Sequence, residues 1–203
     1  MQKLLIATTS QGKLAEIRNI LNDVSSNFLL LSKLNLSNLK VKETGQTFKE
    51  NAILKAKTYG QASNLLTLAD DSGLCVDALK GGPGVYSSRY IKGSDKNRWR
   101  KLLKELDGLP LVKRKARFIS VVALYLPKTK EVIVKKGICQ GRIGFAPKGE
   151  NGFGYDPVFV VDKLKRHFAE LSLQEKNQVS HRAQAMKKIK PILQRIIKNE
   201  VKT

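Results

Sequence analysis

The chain has 203 residues, of which 41% are apolar and 27% charged, close to the usage of an ordinary globular domain. A buried core can form from this composition, which excludes a wholly disordered chain. No stretch approaches the roughly 20 apolar residues that span a bilayer, which excludes a membrane-spanning protein. The length predicts one domain over residues 1–203.

Charge is the unusual feature of the composition. Lysine and arginine number 38 against 17 aspartates and glutamates, a formal net charge of +21. Such a balance favours anionic partners, either nucleic acid or small phosphorylated substrates, although a solvated lysine-rich surface without a function gives the same number. Cys75 and Cys139 have neither disulfide-framework nor zinc-site spacing, so a reducing cytoplasm is expected.

The first third of the chain has the pattern of an α/β fold. Residues Leu4 to Ala7 predict a buried strand, which a polar turn from Thr8 to Gly12 and an amphipathic helix follow. Residues Phe28 to Leu31 predict a second strand. A capping-box pattern at Thr47 to Glu50 predicts a helix that ends near Ala62.

The middle of the chain is richer in strands. Residues 65–69 predict a buried strand that carries Asp70, Asp71, Ser72 and Gly73 at its C-terminal end. Residues 97–106 predict a helix, and residues 118–126 and 131–139 predict an antiparallel hairpin.

The last quarter adds a short strand and helices. Residues 158–161 predict the strand, and Ser172 to Glu175 form a second capping-box pattern. The triplet Ser180-His181-Arg182 opens the final helix. Early alternation of strands and helices, followed by a hairpin, predicts an α/β fold with a mixed sheet and helices packed on it.

Asp70 and Asp71 are the first candidates for chemistry. Paired carboxylates at the end of a strand can hold a hard cation such as magnesium or act as a general base. Successive strand residues point to opposite faces, so we expect one aspartate to face the site and the other to orient a neighbour. A turn that uses aspartate and glycine for its backbone geometry is the alternative interpretation.

Three further segments have side chains suited to a nucleotide. Lys13 lies in a first helical turn, where backbone N–H groups and a lysine suit a phosphate. Glu43 and Lys55 supply an acid for a metal and a cation for phosphate. In residues 152–157, two glycines bracket Phe153 and permit close approach of a stacked ring. A surface lysine, a solvated helix face and a β-turn are the respective alternatives.

The order and spacing of these segments resemble the inosine triphosphate pyrophosphatase family, also called HAM1-like. That family acts on abnormal purine nucleoside triphosphates. The matching segments span nearly the whole chain: residues 5–13 (LIATTSQGK), 43–56 (ETGQTFKENAILKA), 69–90 (ADDSGLCVDALKGGPGVYSSRY), 116–118, 152–159 (GFGYDPVF) and 175–185 (EKNQVSHRAQA).

The resemblance implies a fold, an activity and an assembly. The fold is an elongated mixed β-sheet flanked by helices, with two lobes around a substrate cleft. The activity is magnesium-dependent (Mg2+) hydrolysis of inosine, deoxyinosine or xanthosine triphosphate to the monophosphate and pyrophosphate. A cytoplasmic homodimer that uses neither a membrane nor a specific nucleic acid is also implied.

Site residues carried over from the family fall into three groups. Asp71 is implied as the catalytic carboxylate and a magnesium ligand, with Glu43 as the second acid at the metal and Asp70 as a supporting residue. The residues implied around the triphosphate are Thr8, Thr9, Ser10, Gln11, Gly12, Lys13, Lys55 and Ser72. Those implied for the base and sugar are Phe153, Gly154, Tyr155, Asp156, Lys176, His181 and Arg182.

One departure from the family pattern concerns the phosphate loop. The family commonly has Gly-Asn where this chain has Thr9-Ser10. Serine has a shorter reach than asparagine, and threonine lacks the backbone freedom of glycine.

Two alternative functions are a Maf-like pyrophosphatase acting on modified pyrimidine nucleotides and a basic nucleic-acid-binding protein. The segments at 152–159 and 180–182 argue against the first, and the 6% aromatic content argues against the second.

Overall fold

A computed structural model describes residues 3–24, 27–36, 38–39 and 41–200. Its strands are β1 (Leu4–Ile6), β2 (Phe28–Leu30), β3 (Leu66–Val76), β4 (Lys115–Tyr125), β5 (Val132–Ile143) and β6 (Phe159–Val161). Its α-helices are α1 (Gln11–Ile20), α2 (Phe48–Ser63), α3 (Asp95–Glu105), α4 (Leu173–Val179) and α5 (His181–Glu200). Over these described ranges, no helix is long and apolar enough to cross a membrane.

The strands form one mixed sheet in the order β2-β1-β3-β4-β5-β6. β1 pairs in parallel with both β2 and β3, so Leu4 lies opposite Phe28 on one side and Leu66 on the other. β5 and β6 pair antiparallel, with Gly141 opposite Val161. The predicted fold class, a mixed sheet flanked by helices, is confirmed.

Tertiary contacts divide the chain into two compact units. The first unit contains the described residues up to Asp71, residues 120–137 and the described residues from Arg182 onward. The second unit contains residues 72–119 and 138–181. Strands β3, β4 and β5 each contribute residues to both units.

The core of the first unit follows from the two-residue period of its strands. Leu66 and Leu68 of β3, with Val122 and Leu124 of β4, share a face and pack in one cluster with α1 and α5. The opposite face packs against α2, where Gly60 lies against the ring of Tyr125. The buried helix residues of the cluster are Leu14, Ile17, Leu21, Ala185, Met186, Ile189 and Leu193.

The core of the second unit is aromatic. Phe118 packs edge-on against Phe159, with ring centroids 4.8 Å apart, and Phe159 lies 5.0 Å from Phe168. Leu102 and Leu106 bring α3 into the same buried cluster. Rings in such offset and edge-on arrangements stabilise a core beyond the area they bury.

Short polar side chains set where the helices begin. Ser10, Thr47, Ser94 and Ser172 each accept a hydrogen bond from a backbone N–H in the first turn of the helix that follows. Helices therefore start at both predicted positions. Ser172 forms the full capping box with Glu175, whereas Thr47 caps its helix without one, because the Glu50 carboxylate accepts from Gln46 N instead. Helix α3 begins two residues earlier than predicted, because Ser94 forms a capping box with Asn97.

Candidate active site

Asp70 and Asp71 lie in the middle of a strand. The prediction that the strand ends at residue 69 is wrong, because β3 continues to Val76 and its residues 73–76 are buried. The alternative interpretation of these residues as a turn is therefore also wrong. Since neighbouring strand residues point to opposite faces, the two carboxylates meet different helices.

Asp71 faces helix α2 and binds Lys55. The Lys55 Nζ atom lies 2.7 Å from Asp71 Oδ1 and 2.7 Å from Glu43 Oε1. It also donates to the main-chain oxygen of Asp70 at 2.9 Å. The structure thus brings together three side chains that are far apart in the sequence and that the resemblance assigns to one site.

Asn51 fixes the segment that carries Glu43. The Asn51 side chain is fully buried, accepts from Gly45 N at 2.8 Å and donates to Gly45 O at 3.3 Å. Two hydrogen bonds to one residue hold the loop before α2 against the helix. Glu43 therefore contacts Lys55 from a segment whose backbone is held by hydrogen bonds to Asn51.

Burial and charge act against each other in this cluster. Burial raises the pKa of Asp71, and the nearby Lys55 cation only partly opposes that rise. Burial lowers the pKa of Lys55, but the carboxylates of Asp71 and Glu43 outweigh it, so that the net pKa is raised. Lys55 therefore stays protonated, while Asp71 is a stronger proton acceptor than an exposed aspartate.

The donor set at Glu43 and Asp71 fits a magnesium ion that shares its coordination with a substrate. Each carboxylate places one oxygen 2.7 Å from the same ammonium nitrogen, so these two oxygens are at most twice that distance apart. Magnesium in nucleotide enzymes is usually held by one or two carboxylates together with phosphate oxygens and water. Within the described ranges, no group of three or more histidine, cysteine, aspartate or glutamate side chains could hold a metal by itself.

Asp70 faces the opposite side of the strand and binds Lys13. The Lys13 Nζ atom lies 3.0 Å from Asp70 Oδ2. Burial lowers the pKa of Lys13, whereas Asp70 opposes that shift. The predicted position of Lys13 in the first turn of α1 is confirmed.

The residues before Lys13 form the start of helix α1. Ser10 caps the helix, and its Oγ accepts from Lys13 N at 3.4 Å. Ser10 N in turn donates to Thr8 Oγ1 at 3.2 Å. Thr9 and Gln11 are exposed and Gly12 is half-buried. Ser10, although it stands where the family commonly has asparagine, therefore caps the N-terminus of the helix.

Arg182 belongs to the first unit and completes the surroundings of Asp70. Its Nη2 and Nε atoms lie 3.2 and 3.4 Å from Asp70 Oδ2, and its Nη1 donates to Glu16. Burial alone would raise the pKa of Asp70, but Arg182 and Lys13 hold it well below its usual range. Ser120 adds a hydrogen bond from its Oγ to Asp70 Oδ1 at 2.5 Å.

Glu16 and Ser120 are functional candidates that the sequence analysis did not identify. Both are buried, Glu16 at 2% and Ser120 at 0% exposure. Glu16 lies one helical turn after Lys13, and this i, i+3 spacing was a usable signal. Ser120 is the one polar residue in the segment FISVVALY (118–125), which was a second signal.

The second unit holds the loop that the resemblance assigns to the base. Asp156 organises it by accepting from Phe153 N at 2.9 Å and from Lys176 Nζ at 2.5 Å. Gly152 has a φ of +78°, and a Cβ atom there would lie 2.1 Å from Asp156 Oδ2. Only glycine fits that position while the carboxylate stays in place.

Phe153 is the more accessible of the two aromatic residues in this loop. Its ring is half-buried, and Lys176 Nζ lies 4.9 Å from the ring centroid. Tyr155 is buried instead, and its hydroxyl donates to Ser87 O at 2.9 Å. Gly154 N donates to Asp95 Oδ2 at 2.7 Å. Of the two rings, Phe153 is therefore the one with surface to offer a planar ligand.

His181 and Ser72 are the remaining predicted residues of the second unit. The imidazole of His181 is buried and stacks on Phe118, with centroids 4.7 Å apart and planes 10° apart. Ser72 is half-buried on β3 and directly follows Asp71. Described by itself, the second unit thus groups His181 with the aromatic core and Phe153 with the Asp156–Lys176 pair.

Sequence comparison identifies a family over nearly the whole chain. A model described as the Ham1 family matches residues 4–192. The dITP/XTP pyrophosphatase of Symbiobacterium thermophilum is 44% identical over 91% of this chain and 91% of its own length. The protein of the same name from Haemophilus influenzae is 43% identical over 93% of this chain and 97% of its own length.

Solved structures agree with the sequence matches. The HAM1 protein from Coxiella burnetii superposes with a TM-score of 0.85 and 39% identity, covering 95% of this chain and 98% of that one. The Ham1 protein of Staphylococcus aureus gives a TM-score of 0.82 and 40% identity, covering 98% and 100%. These matches confirm the resemblance inferred from six ordered segments, and the chain belongs to the Ham1 family.

Proposed function

We propose that this protein hydrolyses abnormal purine nucleoside triphosphates, namely those of inosine, deoxyinosine and xanthosine, to the monophosphate and pyrophosphate. The observation that carries the proposal is the cluster in which Lys55 binds both Glu43 and Asp71. It occurs in a chain whose relatives bear the name dITP/XTP pyrophosphatase. That name supports a purine substrate over the Maf-like alternative.

Glu43 and Asp71 are the residues that would hold magnesium. The ion, when bound, would neutralise charge on the triphosphate and on the departing pyrophosphate. Lys55 and Lys13 add two cations, and the capped N-terminus of α1 directs backbone N–H groups toward anions. Thr8, Thr9, Ser10, Gln11, Gly12 and Ser72 are proposed to contact the phosphates.

Asp71 is proposed to take the proton from the attacking water. Its raised pKa suits this task, because a carboxylate accepts a proton more readily as its pKa approaches the working pH. Lys55 stays bound to Asp71 and would stabilise negative charge that develops beside it. In-line displacement at phosphorus then needs little further covalent chemistry from the protein.

Base selectivity is assigned to the second unit. The half-buried ring of Phe153 offers a stacking surface to any purine. The backbone N–H groups of Phe153 and Gly154 already donate to Asp156 and Asp95, so His181 is the proposed donor to the 6-keto oxygen. Adenine presents a 6-amino group there, and a donor left unpaired on burial rejects such an analogue strongly. Gly154, Tyr155, Asp156 and Lys176 of this unit are proposed to support the base and sugar, as is Arg182 of the first unit.

A cytoplasmic homodimer is part of the proposal, on the strength of the family resemblance. Cys75 and Cys139 are buried and not joined in a disulfide, and burial raises the pKa of Cys139 to about 12. The Cys139 thiol is therefore unreactive toward oxidation.

Pyrophosphate release from inosine, xanthosine, guanosine and adenosine triphosphates, with and without magnesium, tests the proposal. We expect fast magnesium-dependent release from the first two and a loss of about 10²- to 10⁴-fold in Asp71→Asn. Asp77→Asn, an exposed aspartate further along the chain, is the matched control and should keep wild-type rates. Equal rates on all four substrates would refute the base selectivity, and a fully active Asp71→Asn would refute the catalytic role.

A further inference from the structure

Two buried polar residues, Asp70 and Ser120, lie next to Lys13 on a face of the sheet that is otherwise apolar. On this face of the sheet, β3 presents Leu66, Leu68 and then Asp70, while β4 presents Leu124, Val122 and then Ser120. Both polar residues are almost completely inaccessible, at 2% and 0% exposure. A carboxylate and a hydroxyl in such a layer are retained only with hydrogen-bond partners.

The partners of Asp70 differ between its two oxygens. Oδ1 accepts from Ser120 Oγ at 2.5 Å. Oδ2 lies 3.0 Å from Lys13 Nζ and 3.2 Å from Arg182 Nη2. A carboxylate held at both oxygens cannot rotate about its χ2 bond without breaking one of these contacts. The hydroxyl of Ser120 therefore helps to fix the orientation of the carboxylate, and Oδ2 of that carboxylate contacts Lys13.

The four charged side chains of this network have a net charge of zero. Asp70 and Glu16 supply two negative charges, and Lys13 and Arg182 supply two positive charges. Arg182 divides its guanidinium between both acids. Ser120 is neutral, so its removal changes the geometry of the group without changing its charge.

We propose that Ser120 is a positioning residue for phosphate binding, because it orients Asp70 so that Lys13 stays fixed at the first turn of α1. The inference rests on the proposed function in one respect, namely that Lys13 contacts the polyphosphate. Ser120 itself touches no substrate. Its effect reaches the ligand through two contacts, from Ser120 to Asp70 and from Asp70 to Lys13.

A double-mutant cycle on Ser120 and Lys13 tests the inference, with inorganic tripolyphosphate as the ligand and calorimetry as the readout. Ser120→Ala should weaken binding about tenfold, the lower end of the usual effect of removing a group that orients a ligand-binding residue. In a Lys13→Met background the same change should have almost no further effect, because the lysine that it positions is gone. Ser120→Thr, which keeps the hydroxyl, should restore most of the affinity.

A second buried hydroxyl in the same unit provides the matched control. Thr67 is fully buried, and its Oγ1 donates to Leu65 O at 2.8 Å. Thr67→Val removes that hydroxyl and should leave tripolyphosphate affinity near wild type. The comparison therefore separates a general effect of losing a buried hydroxyl from a specific effect on the position of Lys13. Equal effects of Ser120→Ala in the two Lys13 backgrounds would overturn the inference, as would wild-type affinity of Ser120→Ala.

Failure of the proposed function gives a different result. A wild-type protein that binds tripolyphosphate through Lys13 but releases no pyrophosphate from inosine triphosphate would refute the proposed reaction and leave the cycle on Ser120 decisive. A wild-type protein that binds no tripolyphosphate would overturn the positioning role directly.

Discussion

The pKa values of two neighbouring aspartates of strand β3 are shifted in opposite directions. Asp70 has its pKa held well below the usual range, because Arg182 and Lys13 outweigh its burial. Asp71 has its pKa raised, because its burial outweighs the opposing effect of Lys55 and Lys13. The alternation of side chains along β3 separates these environments, so one carboxylate is suited to a fixed ion pair and the other to proton transfer.

The low pKa of Asp70 predicts a specific pH dependence of stability. An unfolded aspartate titrates near pH 4, so the ionised Asp70 stabilises the folded state fully above about pH 4. That contribution is lost as the pH falls through the lower folded-state pKa. Asp70→Asn should lower the free energy of unfolding by about 3 kcal/mol near neutral pH, and the difference from wild type should shrink below about pH 4.

Urea unfolding of both proteins over a series of pH values, without nucleotide or metal, measures this difference. Asp77→Asn is the control: Asp77 forms a surface ion pair with Arg117, so its loss should cost no more than about 1 kcal/mol. A gap between wild type and Asp70→Asn that stays constant from neutral to acid pH would show that Asp70 is not held ionised by its neighbours.

Individual site residues were predictable from the sequence to different degrees. Glu43, Lys55 and Asp71 could be assigned to one site by resemblance, and the structure brings them together. The network around Asp70 could not be predicted as a whole, because the spacing of Glu16 and the polarity of Ser120 mark single residues and not the partners that they meet. Which polar residues meet inside a core depends on how the strands and helices pack, and no local pattern records that.

Helix α2 reaches the sheet through a row of small residues. Ala52, Ala56 and Gly60 recur every four residues and are all buried, so they form one face of the helix. Close approach along this face places Lys55 within 2.9 Å of the main-chain oxygen of Asp70. The position of a proposed catalytic lysine thus depends on side chains that take part in no chemistry.

Gly60→Ala should destabilise the protein, although alanine normally favours a helix interior by about 1 kcal/mol over glycine. A Cβ atom at Gly60 would lie 2.2 Å from Tyr125 Cδ1, so the helix or the ring has to move. The expected loss in free energy of unfolding is about 1–3 kcal/mol. Chemical denaturation measures it, with the exposed Lys57→Ala on the same helix as control, and a stabilised Gly60→Ala would show that α2 does not pack this closely.

Among the predicted helices and strands, the main error concerned β3, which was predicted to end at residue 69 and continues to Val76. Asp70, Asp71, Ser72 and Gly73 are turn-forming residues, and local propensity ends the strand before them. In the structure their backbone is part of an eleven-residue strand, because pairing within the sheet overrides local preference. The capped helices were predicted well, since a cap is a local interaction between residues three apart.

The whole molecule shows how a family can be identified more securely than its site. Six ordered segments led to the Ham1 family, and full-length matches confirm it. The division into two compact units was not predictable in detail, because it separates Asp71 from Ser72 and His181 from Arg182. Residues that are consecutive in the chain therefore belong to different units, and no change in composition marks either boundary.

The products formed from inosine triphosphate test the central claim most directly. Chromatography of a magnesium-containing reaction should show inosine monophosphate and pyrophosphate in equal amounts, with no diphosphate intermediate, because the claim is a single cleavage that releases pyrophosphate. Formation of inosine diphosphate and orthophosphate, or no turnover at all, would contradict the proposed function.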